Sequence, residues 1–345
     1  MALSASSNKV WLSLPVALSV WAIWLVVLGP AQAFAIVEEQ WQIAFTMVFG
    51  SFVAGASSVG GGAVAFPVLT KLLEVEPHAA KLFSLAIQSV GMTSASILIV
   101  LMKVPVYWRA VVTSTIGGAV GISCSLWLLA PVLPTNDTRV FFTAIQAAFA
   151  VVLLIKLSHS WTVRSSGDAR SGASVRSIAE EDMQLDRLGH ADEMLLFVAG
   201  LFGGIASGIV GSGIDLVVFS ILVLRLGISE KIATPTSVVI MAANSLIGMA
   251  VFTSTIALVP DSIVQMWLSA VPVVVIGAPL GAYCCARVQR ITVTRMLICL
   301  ISVEVFSTLL LIPLRGQTLA VAAVSLLFFC GLFYRIYRRP SLQPS

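Results

Sequence analysis

The sequence is poor in charge. Only 10% of its 345 residues are Asp, Glu, Lys or Arg, where soluble domains carry about a quarter. A soluble enzyme, a nucleic-acid binder and a disordered tail all need more charge than this, so the composition sets those classes aside. Histidine is scarcer still: His78, His159 and His190 fall in expected loops between apolar runs. A metal site built on histidine is therefore not expected, and a Ser-His nucleophile inside an apolar run would have no base. The five cysteines, at 124, 284, 285, 299 and 330, show no metal-type spacing and read as small core residues. What the chain has in excess is apolar surface, with 58% hydrophobic residues and a mean hydropathy of +1.01.

Those apolar residues come in runs of membrane-crossing length. Seven stretches, 79–101, 107–130, 138–158, 231–256, 262–286, 293–313 and 317–337, approach the roughly 20 residues with which a helix crosses about 30 Å of hydrocarbon. The expected fold is an all-α integral membrane protein. At the N-terminus, Lys9, the apolar run from Val10 to Gly29 and the segment Ala31-Gln32-Ala33-Phe34-Ala35 describe a cleavable secretory signal; the run is also long enough to span. Residues 1–35 are thus a signal peptide or an N-terminal membrane helix. The largest polar gap, 159–193, reads as an exposed linker between a first membrane repeat at 36–158 and a second at 194–316, with a C-terminal helix and basic tail at 317–345.

Two stretches, 41–74 and 194–226, are too long for one helix and carry glycines near their middles. The first contains Gly55-Ala56-Ser57-Ser58-Val59-Gly60-Gly61-Gly62 and the second Ala206-Ser207-Gly208-Ile209-Val210-Gly211-Ser212-Gly213. Glycine costs about 1 kcal/mol against alanine inside a helix, so each stretch is expected to be two helices of about 15 residues joined by a break. Gly60 and Gly62 correspond to Gly211 and Gly213, and 73–75 and 84–85 correspond to 226–228 and 237–238 after a two-residue insertion. Paired glycine-interrupted segments are the best sequence pointer to a transporter's binding site.

Charge placement tests how these segments cross. If each enters and leaves on one face, by re-entering or crossing twice, fifteen Lys and Arg residues gather on one side and four, Lys71, Lys81, Arg139 and Arg315, on the other. A single crossing by each would split them almost evenly. The positive-inside rule favours the first arrangement and puts the linker and the C-terminus in the cytoplasm. Three crossings then separate the breaks, an odd number, so the two repeats are expected to be inverted.

A broken helix exposes backbone N–H groups, and with the helix dipole these make an anion site that needs no buried cation. The candidate contacts are Ser57, Ser58, Gly60, Gly61, Gly62, Ser207, Gly208, Gly211, Ser212 and Gly213, with Thr236, Ser237 and Asn244 on the following helix. A small oxyanion is the natural guest, although Gly and Ser at these places would also serve close helix packing. Asp215 and Glu304 are the clearest intramembrane acids; each is a candidate for proton coupling and equally for a neutral, hydrogen-bonded role. Gln88 and Gln146 face a similar choice. Gly211-Ser212-Gly213-Ile214-Asp215 is similar to the G-x-G-D of intramembrane aspartyl proteases, but its acid stands one residue late and no Tyr-Asp partner precedes it.

At these residues the sequence resembles the sulfite exporter TauE/SafE family of membrane permeases. The family pattern is a helix ending in a small-residue, Gly-rich turn, an apolar stretch with Pro, and a short G-[LIV]-[ST]-x-x-x-A-x-x-[ST]-S segment, the unit occurring twice. Here the first copy is Gly55 to Gly62 with Phe66-Pro67-Val68-Leu69, and the second is Gly203 to Gly213 followed by Leu226-Gly227-Ile228-Ser229 through Ser237. The resemblance covers roughly 41–335. It implies a transporter rather than an enzyme, moving a small sulfur anion such as sulfite or sulfoacetate across a plasma or bacterial inner membrane, or an organelle membrane. No cofactor, metal or nucleic-acid partner is implied. An anion channel of the same fold and a non-transporting membrane scaffold or assembly factor are the alternatives. Two positions depart from the pattern: Asp215 follows the second glycine run, and Glu74 stands opposite Gly227. An acid beside an anion site repels its substrate unless protonated.

Overall fold

The computed structural model describes residues 9–57, 68–129, 137, 140–141, 143–151, 154–155, 189–256, 259–288, 290–312 and 316–338. Among them the regular structure is entirely helical. The order is α1 (Leu14–Leu28), α2 (Pro30–Glu39), α3 (Trp41–Ala56), α4 (Pro77–Leu101), α5 (Trp108–Cys124), α6 (His190–Val210), α7 (Ile214–Ser220), α8 (Glu230–Val251), α9 (Asp261–Arg287), α10 (Arg290–Leu311) and α11 (Gln317–Arg338). Wider π-helical turns stand at Val68–Leu72, Ser125–Leu129, Ile221–Arg225 and Phe252–Ile256. Proline sets several helix starts: Pro30 follows Gly29 and Pro77 opens α4, positions where a missing N–H is harmless.

Six helical stretches are long and apolar enough to cross a membrane: Trp11–Leu28, His78–Leu101, Trp108–Leu129, His190–Val210, Glu230–Ile256 and Asp261–Arg287. Four of these are expected spans; the expected span at 138–158 lies largely outside the described residues, as does the linker up to 188. The expected spans at 293–313 and 317–337 are the helices α10 and α11. His78 and His190 open helices rather than lying in loops. Polar groups are buried within the apolar core while large apolar side chains face outward: Ser84, Ser207, Asp215, Ser237 and Asn244 are fully buried, while Val26 is 84% and Leu327 74% exposed. Lipid is the solvent that suits such a surface.

The helices interlock across the two halves. α3 packs on α9 and α6 packs on α5, each crossing made close by small residues. A side chain on Gly55 would collide with the Ala278 carbonyl, and one on Gly204 with the Gly118 carbonyl. α5 and α6 run parallel, tied by Arg109 to Glu193 at 3.0 Å, by the Ser114 hydroxyl donating to Leu196 O at 3.1 Å, and by the Ser125 hydroxyl donating to Ile205 O at 2.8 Å. α4 and α8 form the centre and run antiparallel. Leu85 of α4 faces Gly248 near the end of α8, while Ile99 of α4 shares a small cavity with Lys231 and Thr234 at the start of α8.

The elements also recur at one interval. The π-turns begin at Val68 and Ile221, the left-handed residues after them are Glu74 (φ 52) and Gly227 (φ 68), and the next helices start at Pro77 and Glu230. Each pair is 153 residues apart, as are the starts of α5 and α9 at Trp108 and Asp261. The pairing of Glu74 with Gly227 thus has a backbone reason, a left-handed turn that glycine adopts at no cost and glutamate under strain.

α1 is joined to the bundle through α9. Pro272 has no N–H, which leaves the Leu268 carbonyl without its partner in the helix. The Trp24 indole N–H donates to that carbonyl at 3.0 Å, and Trp21 donates to Pro272 O at 2.9 Å. Ala31, Ala33 and Ala35 lie inside α2, with Ala33 fully buried.

Candidate functional site

The second glycine stretch is a break. α6 stops at Val210; Gly211 is left-handed (φ 93, ψ −2), Gly213 has φ 140, and α7 starts at Ile214. Glycine alone takes this pair of conformations without strain. Across the break, a Cβ on Gly203 would stand 2.7 Å from Ile214 Cα. The lengths differ from expectation. α3 has 16 residues, but α6 has 21 and reaches past the level of Gly118, the middle of α5, before it breaks.

Three helices wall the break. On the α4 side, Gln88 Nε2 donates to Gly211 O at 3.0 Å, and Lys81 and Ser84 lie against Gly211. On the other side, Ile214 and the Asn244 side chain of α8 both crowd Gly118 of α5. Asn244 is fully buried and neither its Oδ1 nor its Nδ2 has a partner among the described residues. Ser212 Oγ, Ser84 Oγ, Gln88 Oε1 and Asp215 Oδ2 are likewise buried and without partners.

The other sequence candidates divide. Ser207 accepts the Ile214 N–H at 3.1 Å, and Gly208 packs against Ser125. The Ser237 hydroxyl donates to Thr234 O at 2.8 Å; Thr236 Oγ1 accepts the Tyr107 N–H at 3.0 Å and donates to Ile232 O at 2.7 Å, tying α8 to the start of α5. Ser57 ends α3, buried, with its hydroxyl donating to Val53 O at 2.8 Å. Ser58, Gly60, Gly61 and Gly62 lie outside the described residues, as does the side chain of Glu304, whose backbone is in α10. Gln146 is buried, and neither of its amide atoms has a partner among the described residues.

The start of α7 departs from expectation. Its N–H groups are not open: Ser207 takes that of Ile214, and Asp215 Oδ1 accepts that of Leu216 at 3.0 Å, with the N–H groups of Gly213 and Asp215 also turned to this carboxylate. An acid in the first turn of a helix reaches back to the donors there, and the helix dipole favours it. A side chain of the protein's own, Asp215, stands where a bound anion was expected.

Sequence reading missed Lys81 and Ser84. Lys81, near the start of the expected span 79–101, counts by sequence only among the cations of one face, yet it is buried. The signal that would have found both is the stripe Lys81, Ser84, Gln88, spaced for one face of α4. A cavity bounded by Ser51, Gln88, Gly91 and Ala278, and another bounded by Gly55, Lys231 and Thr234, each have room for about one water. Among the described residues no three metal-ligating side chains cluster.

Residues 43–308 match the family model described as Sulfite exporter TauE/SafE. Nothing among curated proteins and nothing among solved structures matches the chain.

Proposed function

The chain belongs to the sulfite exporter TauE/SafE family, and from that premise we propose that it carries a small sulfur oxyanion, sulfite or an organosulfonate such as sulfoacetate, through the membrane at its glycine breaks. The family is one of transporters rather than enzymes, and this chain is a multi-pass membrane permease. The observation that carries the reading is the group of buried, unpartnered polar atoms at the second break: Ser212 Oγ, Asn244 Nδ2, Gln88 Oε1 and Asp215 Oδ2. Each such group left unmet costs about 1–3 kcal/mol, so a polar guest that meets them is worth keeping them for.

The proposed site uses Ser207, Gly208, Gly211, Ser212 and Gly213 at the second break, Ser57, Ser58, Gly60, Gly61 and Gly62 at the first, and Ser237 and Asn244 from α8. The 153-residue interval and the antiparallel α4 and α8 support two inverted repeats, each opening with a glycine-broken hairpin. Arg109 and Glu193 meet at one end of the bundle, which supports placing the α4–α5 loop and the linker on one face; with the positive-inside rule that face, and the C-terminus, are cytoplasmic. The indole bonds of α1 support residues 1–35 as a retained membrane helix.

Asp215 supplies a coupling step. As a carboxylate it occupies the N–H groups at the start of α7; once protonated it loses its hold on them, and the substrate anion takes its place. Glu304 is the second candidate for the proton. The family's description as an exporter favours a carrier, which opens to one side at a time, over a channel. The test is uptake of labelled sulfite by cells producing Ser212→Leu or Gly61→Leu protein at wild-type level in the membrane. Loss of uptake supports the site, and normal transport by either variant counts heavily against it.

A further inference from the structure

Lys81, the fifth residue of α4, is only 4% exposed. Its backbone meets the second break: a Cβ on Gly211 would stand 2.7 Å from the Lys81 carbonyl oxygen and 3.2 Å from its Cα. Ser84 and Gln88 follow at steps of three and seven residues, which returns them to the same side of the helix. Both are buried, and Ser84 Oγ and Gln88 Oε1 have no partner among the described residues; Gln88 is held in place by the bond from its Nε2 to Gly211 O. Facing them, the break contributes Ser212 Oγ, also buried and without a partner.

Among the described residues no acid pairs with this lysine: Glu193 is engaged by Arg109 and His190, and Asp215 Oδ1 by the Leu216 N–H. A lysine in a membrane span with no counter-ion among the described residues is costly and usually marks the path of a charged substrate. An anion that comes and goes satisfies both facts.

We propose that Lys81 is the counter-charge of the transported oxyanion, in a subsite it forms with Ser84, Gln88 and Ser212 against the second break. This deepens the transport reading and rests on it. The ammonium and the two hydroxyls are donors suited to the oxygens of a sulfur oxyanion. Gln88 Oε1 is an acceptor and suits a protonated oxygen. One ammonium balances one negative charge, so the subsite fits a monoanion such as hydrogensulfite better than a dianion.

The test uses the purified full chain in detergent, with thermal unfolding followed as sulfite replaces chloride at constant ionic strength. Sulfite should raise the wild-type midpoint saturably. Lys81→Met should need about tenfold to a hundredfold more sulfite for the same rise, the worth of one charge-assisted hydrogen bond, while Lys81→Arg stays within a few-fold of wild type. Without sulfite, Lys81→Met should be no less stable than wild type, because it removes a charge that has no counter-ion among the described residues. A Lys81→Met protein that responds to sulfite as wild type does overturns this inference and leaves the transport reading standing. A Lys81→Met protein that unfolds even without ligand also overturns it, since the lysine then acts on structure. If sulfite, sulfoacetate and sulfate all leave the wild type unmoved, both proposals fall.

Discussion

Replacing Gly211 by alanine adds one methyl group and should be among the costliest single changes in the second half. Two effects add. The residue is left-handed, φ 93, which costs an L-residue about 1–2 kcal/mol. The new Cβ would also stand 2.7 Å from the Lys81 carbonyl oxygen and 2.8 Å from Ser84 Cβ, and a backbone atom cannot rotate away as a side-chain end can. Overpacking of this kind costs about 1–3 kcal/mol, for a total of about 2–5 kcal/mol. Gly227 provides the control. It is left-handed too, at φ 68, but nothing lies within 4 Å of its would-be Cβ, so Gly227→Ala should show the conformational cost alone, about 1–2 kcal/mol. The assay is unfolding of both variants in mixed detergent micelles with increasing dodecyl sulfate, followed by tryptophan fluorescence. Equal losses for the two variants would refute the reading of the break as a tight contact with α4.

Three further outcomes are expected. Trp24→Phe should cost about 1–2 kcal/mol by stranding the Leu268 carbonyl, and less in a Pro272→Ala background, where residue 272 regains the N–H that α9 lacks; a double-mutant cycle in micelles measures the coupling. Asn244→Ala should leave stability unchanged or raise it by up to about 2 kcal/mol while lowering sulfite uptake, because it removes two buried, unmet polar atoms; parallel unfolding and uptake assays check the opposite signs. Glu74→Gly should stabilise by about 1 kcal/mol, since glutamate sits at φ 52 where the second half has glycine, and the midpoint of unfolding reads the gain.

Much of this was legible in the sequence for simple reasons. Runs of about 20 apolar residues mark membrane helices whatever their tertiary partners, and the spans from His78 to Leu101 and from Asp261 to Arg287 lie where the runs are. Gly211 and Gly213 announced a break because no other residue takes both of their conformations cheaply. What failed depended on contacts distant in sequence. Lys81 stands near the start of the expected span 79–101 and counts there only as a charge on one face; that it is buried, with its backbone against Gly211, depends on a contact distant in sequence. The N–H groups of α7 looked open because glycines precede them, yet Ser207 accepts that of Ile214 and Asp215 accepts that of Leu216. The length of α6 was also hidden, since its partner α5, matched to it through Gly117, Gly118 and Gly121, is what holds 21 residues in one straight run.

The most direct measurement is the flux of labelled sulfite into liposomes carrying the purified protein, with and without an imposed pH gradient. The account predicts saturable uptake that rises with the gradient, and an Asp215→Asn protein whose uptake no longer responds to it. No uptake of sulfite, sulfoacetate, sulfate or thiosulfate by protein shown to be folded would contradict a sulfur-anion carrier.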